Sequence, residues 1–328
     1  MTVGAHSNER GVALVTTLMI VAAMSVVAVT LTNAVLASTS RAKSLDASAQ
    51  ADWLAYAAEE YARLAIDDIM SATEGALSSS VEVMNQPLTF EAEGGLITIL
   101  ARDASNCFNL NSLAAPRSGG EGSGQSDTAA ADLASLIDLA DLDTVNAEGL
   151  VSSISDWIDA DQSPGLNGAE DSFYSNPAMN YRTSGQMLAD ESELLSVRHV
   201  SADLLDAMEP FLCVLPEQLQ PALNINTISE RQAPLLSLAA SGALTADKAR
   251  DLIFQRPSGG WPSVEDFVGL PEISEIAPEL IRNDMLGTTS RYVDVTAAIE
   301  YRGTRRVFSL LFSVGDGPAK VVRRERKG

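Results

Sequence analysis

Residues 9–40, ERGVALVTTLMIVAAMSVVAVTLTNAVLASTS, set Glu9, Arg10 and Gly11 directly ahead of an apolar run that carries no charge from Val12 to Ser40. At about 1.5 Å per residue this run makes a helix of roughly 44 Å, longer than the hydrocarbon core of a bilayer demands. A cleaved secretory signal has an apolar region of only about 7 to 15 residues, closed by a small-residue cleavage site, so this segment does not read as one. A cut ahead of Val12 leaves the helix in the mature chain, and the alternative is an ordinary single-pass anchor with no cleavage at all.

The helical pattern does not stop at the end of the apolar run. In SRAKSLDASAQADWLAYAAEEYARLAIDDIM, residues 40–70, Leu45, Ala49, Trp53, Tyr56, Tyr61, Leu64 and Ile69 recur at helical spacing, with Asp52, Glu59, Glu60 and Asp67 between them. One helix over 12–74 is expected, its first half in the membrane and its second half packed on a folded body. After Gly75, PLTFEAEGGLITILARD reads as two short strands around Gly94-Gly95, a hairpin signal. Far along the chain, RYVDVTAAIEYRGTRRVFSLLFSV reads as a second hairpin turning at Arg302, Gly303 and Thr304. The expected fold is α+β: a long helix, an antiparallel sheet from 75–104 and 289–316, and a mainly helical insertion over 105–288. RSGGEGSGQSDT, Arg117–Thr128, has too little apolar content to order itself and reads as a loop. The C-terminal stretch 317–328, ending KVVRRERKG, reads as a solvated basic tail, or else as a surface for an acidic partner.

The net charge is -22, from 44 acidic and 22 basic residues, which repels nucleic acid and anionic lipid and favours cations. Basic residues flank the span on both sides, Arg10 before it and Arg41 and Lys43 after it, so flanking charge alone does not set the orientation. The only cysteines, Cys107 and Cys213, fit one bridge in an exported body and equally two buried thiols. The only histidines are His6 and His199, and no nucleophile and base assemble around either, so no enzyme is expected.

Arg10-Gly11-Val12-Ala13-Leu14-Val15 resembles the prepilin-peptidase signal of type IV pilins and their relatives. CFNLNSLAAP, SDWIDADQSPGLNGAEDSFY, NPAMNYRT, ESELLSV and LNINTIS, in that order over nearly the whole chain, resemble the K-type minor pseudopilins of type II secretion. That resemblance implies a type IV pilin-like fold with a large insertion and cleavage by prepilin peptidase after Gly11, followed by methylation of Val12. It also implies an inner-membrane anchor with a periplasmic body, and a place at the pseudopilus tip beside the I and J minor pseudopilins. Contacts to the secretin or to exported proteins are open. Most such subunits carry glutamate at the fifth mature position, where this chain has Thr16. In the fibre that glutamate neutralises the terminal ammonium of the subunit above, since an unpaired charge in an apolar bundle costs several kcal/mol. A subunit with no carboxylate there suits the topmost position.

DADQSPGLNGAED, residues 159–171, has the oxygen spacing of an EF-hand loop, with Asp159, Asp161, Ser163, the Gly165 carbonyl, Asn167 and Glu170 in ligand positions. Asp171 adds a spare carboxylate. Pro164 stands where that loop has its turn glycine, so the backbone path must differ. Spacing and resemblance together point to Ca2+. A second acidic patch, Asp190, Glu191 and Glu193, reads as a charge cluster at a helix start. Two helical pairs turning at Ser241-Gly242-Ala243 and Pro271-Glu272-Ile273 resemble helix-hairpin-helix repeats, the basis of a rival DNA-uptake reading. The acidic second turn, with Glu272 and Glu275, argues against nucleic acid.

Overall fold

The computed structural model describes residues 9–73, 75–78, 84–114, 125–142, 144, 146–315 and 317–327. In chain order the elements are helix α1 (Glu9–Ala72), strands β1 (Leu88–Ala92), β2 (Gly95–Asp103) and β3 (Phe108–Asn109), then helices α2 (Gln125–Leu139), α3 (Ala147–Ile158), α4 (Asp171–Tyr174) and α5 (Ala202–Met208). Strands β4 (Leu212–Cys213) and β5 (Leu223–Asn224) precede helices α6 (Ala233–Ala239), α7 (Ala246–Phe254), α8 (Val264–Val268) and α9 (Pro271–Ser274). Strands β6 (Leu286–Gly287), β7 (Tyr292–Tyr301), β8 (Thr304–Gly315) and β9 (Gly317–Lys327) complete the chain.

α1 is one continuous helix, and its N-terminal part is exposed all round and apolar enough to cross a membrane. Several of its hydroxyls bond within the helix: Thr17, Ser25 and Thr32 each donate to a carbonyl four residues back, at 3.0, 2.8 and 2.9 Å. The second half departs from expectation in which face it buries. Trp53 is 70% exposed and Leu45 72%, while the buried stripe is Ala47, Ala51, Leu54, Ala58, Ala62 and Ile66. Small side chains let the sheet press close to the helix, and a Cβ built on Gly95 would stand 2.6 Å from Leu54 Cδ1. The large rings are therefore left on the outer face, where Trp53 meets Tyr56 edge-on at 6.1 Å.

The sheet runs β1-β2-β7-β8-β9, all antiparallel. Alternation puts Ile97, Ile99 and Ala101 of β2 beside Val293, Val295, Ala297 and Ile299 of β7 on the face toward α1. Both hairpins turn on two consecutive positive-φ residues, Glu93 (47°) with Gly94 (78°) and Arg302 (46°) with Gly303 (79°). That backbone suits the right-handed twist of the strands it joins. The first turn is thus Glu93-Gly94, one residue earlier than the Gly94-Gly95 expectation. The C-terminal stretch is not a solvated tail. It is β9, paired with β8 from Val307↔Lys327 to Gly315↔Gly317, so the sheet is a hairpin plus a three-stranded meander.

The insertion leaves and returns between β2 and β7, where Asp103 pairs with Val293. Its core is one cluster that includes Leu133, Leu136 and Ile137 of α2, Leu150, Ile154 and Ile158 of α3, and Leu235, Leu236 and Leu238 of α6. Gln125–Thr128, expected as part of a loop, form the first turn of α2; Arg117–Gly124 lie outside the described residues. At the junction half-buried Asp103 accepts hydroxyl hydrogen bonds from Thr227 and Ser290 and the Ser105 amide at 2.8 Å. Asn106 Oδ1 accepts the Asn224 amide at 2.7 Å, and Asn224 donates to Ser290 Oγ at 2.8 Å. Cys107 and Cys213 are joined by a disulfide, with Cα atoms 5.7 Å apart, beside the small parallel pair β3–β4, in which Asn109 stands opposite Cys213.

Candidate metal loop and N-terminal processing segment

α3 carries Asp156 and Asp159 three residues apart at its C-terminal end, which places both carboxylates on one side. Glu170, the residue just before α4, returns to the same point. One oxygen from each of Asp156, Asp159 and Glu170 lies within 4.8 Å of the others. Asp156, which the loop spacing alone did not single out, is buried and organises the segment: its carboxylate accepts the Gly165 amide at 3.0 Å and the Ala169 amide at 2.7 Å. The loop packs so closely on it that a Cβ at Gly168 would stand 2.0 Å from Asp156 Oδ2.

Glu170 is 1% exposed, and neither carboxylate oxygen has a hydrogen-bond partner among the described residues. Burial, joined by repulsion from Asp156, Asp159, Asp161 and Asp171, pushes its carboxyl up to about 7. Three carboxylates converging on an unsatisfied buried oxygen pair are the chemistry of a hard divalent cation, which takes oxygen ligands and supplies the missing positive charge. From the other side, Arg198 donates to the Gly168 carbonyl at 3.0 Å, and Tyr174 Oη accepts the Arg198 amide at 2.9 Å. Trp157, Tyr174 and Tyr181 form an aromatic floor, with centroids 5.4 Å apart for the first pair and 5.2 Å for the second.

The remaining residues of the EF-hand spacing do not converge. Asp161 is exposed and its Oδ1 accepts the Ser163 amide at 2.7 Å; Ser163 and Asn167 are on the exposed outer part of the loop. Asp171 accepts the Thr183 amide at 2.9 Å instead. With Pro164 at the expected glycine position, the positive φ falls at Asn167 (60°), and the loop leaves Asp161, Ser163 and Asn167 exposed while its Gly165 amide closes on Asp156. Asp190 and Glu193 cap the 3-10 turn Glu191–Ser196 reciprocally, as a helix-start cluster should. His199 is exposed.

At the other end of the molecule, Gly11 and Val12 lie in the first turns of α1, and the space around Gly11 is open. His6 and the rest of residues 1–8 lie outside the described residues. Thr16 faces out from the helix, its hydroxyl donating to the Val12 and Ala13 carbonyls at 3.1 and 2.9 Å. It is satisfied locally and presents no charge to a neighbouring helix.

Two family models described as type II secretion system (T2SS), protein K, match residues 106–217 and 223–289. The type II secretion system protein K of Pectobacterium carotovorum subsp. carotovorum is 33% identical over 260 residues, 79% of each chain. The chain belongs to the type II secretion system protein K family. A protein K of Aeromonas hydrophila is 27% identical over 326 residues, 98% of each chain. Among solved structures, the crystal structure of the GspK-GspI-GspJ complex from enterotoxigenic Escherichia coli contains a chain that superposes with a TM-score of 0.76 at 28% identity. The match covers 88% of this chain and 99% of that one. The family models fall inside the insertion, so protein K is characterised by this domain, and the superposition extends the likeness to stem and sheet.

The first helix-hairpin-helix turn has its amides engaged within the fold. α6 is buried along its whole length, and the hairpin amides that would hold a phosphate are already bonded: Gly242 N to Ser237 O at 2.8 Å and Ser241 N to Leu238 O at 2.9 Å. The second turn lies at Gly269-Leu270, just before α9, rather than at Pro271–Ile273.

Proposed function

We propose that this protein is a minor pseudopilin anchored in the inner membrane by α1, with its body in the periplasm, and that it caps the pseudopilus tip together with the I and J minor pseudopilins. The observation that carries the reading is the likeness to the GspK chain of the GspK-GspI-GspJ complex across stem, sheet and insertion. Thr16 supports the topmost position: with no subunit above, there is no ammonium to neutralise, and a threonine whose hydroxyl is bonded within its own helix costs nothing there. The insertion supports it too, because a domain added to one end of the sheet obstructs stacking within a tightly packed shaft. Its role is assembly rather than catalysis.

Gold labelling of the insertion in isolated pseudopili is expected to mark one end of each fibre; label spread along the shaft contradicts the capping role. Prepilin peptidase is expected to cut between Gly11 and Val12. Intact-mass measurement of the membrane form should then give a chain beginning at N-methylated Val12, whereas a start beyond Ser38 would mean an ordinary signal peptide.

Calcium belongs to the same proposal. Asp156, Asp159 and Glu170 would hold the ion, and its positive charge would offset the burial, and the repulsion from neighbouring carboxylates, that raise the Glu170 carboxyl.

A further inference from the structure

β9 faces two ways. Its first half lays Ala319 and Val321 against the core beneath α1. Phe312 then pairs with Val321 while the adjacent Leu311 pairs with Arg323, so Val322 is a bulge that reverses the parity of the strand. Beyond it Arg324 and Arg326 turn toward the stem, while Arg323, Glu325 and Lys327 line a cleft of about 650 Å³ between the sheet and the insertion.

Both sides are engaged. Arg324 donates to both oxygens of Glu59 on α1, at 2.8 and 2.5 Å, with its guanidinium 5.6 Å from the centre of the Tyr56 ring. Across the cleft, Arg323 donates to the Val214 carbonyl at 2.8 Å, next to the bridged Cys213, and pairs with Glu325 at 2.8 Å. Asp190 and Glu191 of the insertion face Arg323, and Glu191 also faces Lys327. In a chain of net charge -22, these last residues are the concentrated cations.

We propose that β9 is a clasp: through the Val322 bulge it grips the stem with one arginine and the insertion with the next, and so sets the angle at which the insertion rides on α1. Basic residues and a bulge also blunt an edge strand against aggregation. Edge protection, however, asks only for charge toward solvent, not for an arginine seated on a carbonyl of another unit. Two units joined by a pair of connections move relative to one another unless an interface holds them, and β9 adds a hold to the one that the Asp103 hydrogen bonds and the bridged cysteine cluster supply at the junction. The clasp would act in this way wherever the subunit sits in a fibre.

The test is a distance measurement on the full-length protein in detergent, with spin labels introduced at two exposed sites, Leu64 on α1 and Phe254 on the insertion. The clasp predicts one narrow distance distribution for the parent. It predicts one about twofold wider for Arg323→Ala, as expected when an interdomain hold is lost. Salt of about 1 M, where the screening length falls to ~3 Å, should widen the parent distribution in part. Arg326→Ala, on the same strand with no partner among the described residues of the insertion, should leave it narrow. An unchanged distribution in Arg323→Ala overturns the clasp, as does equal widening by Arg326→Ala, which would reduce β9 to a plain edge strand.

Discussion

Replacing Cys107 and Cys213 together by alanine is expected to lower the stability of the soluble body, residues 41–328, by as much as about 4.7 kcal/mol, the chain-entropy value for a closed loop of about 100 residues. The closed loop here spans 106 residues and encloses α2, α3 and the candidate metal loop, so its release frees a large part of the insertion in the unfolded state. The bridge also sits in a small buried cluster with Leu215, Tyr292 and Leu311, where sheet and insertion meet, and the alanines forfeit that packing. Denaturant unfolding of parent, double variant and reduced parent checks this. Reduction should bring the parent close to the variant. A shift below about 1 kcal/mol, outside the usual 2–5 kcal/mol cost of losing a native bridge, would contradict it.

Calcium at a hundredfold excess over its dissociation constant is expected to stabilise the same body by about 2.7 kcal/mol. Magnesium should substitute poorly, since it demands a small octahedral shell and keeps its waters. The pH dependence has a definite sign. Without the ion, the folded Glu170 carboxyl stands at about 7 against 4.5 for the free group, so the folded state binds the extra proton. Its contribution is then fully present below about 4.5 and is lost as pH rises through 7. Calcium should flatten that loss. Glu170→Gln removes the buried charge, so it should raise the stability of the calcium-free protein near neutral pH and abolish the calcium shift. Asp161→Ala, outside the tight cluster, should retain most of it. Thermal melting in chelator, calcium and magnesium separates these outcomes, and a melting temperature indifferent to calcium would show that the loop holds no ion.

The parts of this fold that were legible in the sequence are those set by local chemistry. The uncharged run from Val12 and the Gly94 and Gly303 turns each carry a short-range signal, and α1 and both hairpins formed where those signals lie. What the sequence concealed depends on partners distant in the chain. The face of α1 against the sheet is mostly alanine, with Leu54 and Ile66, because the sheet comes close, and spacing of large apolar residues pointed instead to the outer stripe of Leu45, Trp53, Tyr56 and Leu64. KVVRRERKG has the composition of a solvated tail, and only pairing to β8 makes it a strand. In the candidate metal loop, Glu170 and Asp159 were visible by spacing. Asp156 was hidden as an ordinary helical residue, although its position three before Asp159 near a helix end is a signal for a shared face.

Action of this protein K as the tip subunit of a minor pseudopilin complex requires that it bind the I and J pseudopilins, and co-purification measures that binding. The soluble body, residues 41–328, is expressed with the soluble bodies of the I and J pseudopilins from the same secretion system, and the mass of the complex is measured by light scattering. A stable assembly with one copy of each chain is expected. A protein K that elutes alone, while I and J are folded and present in excess, would contradict the tip assignment.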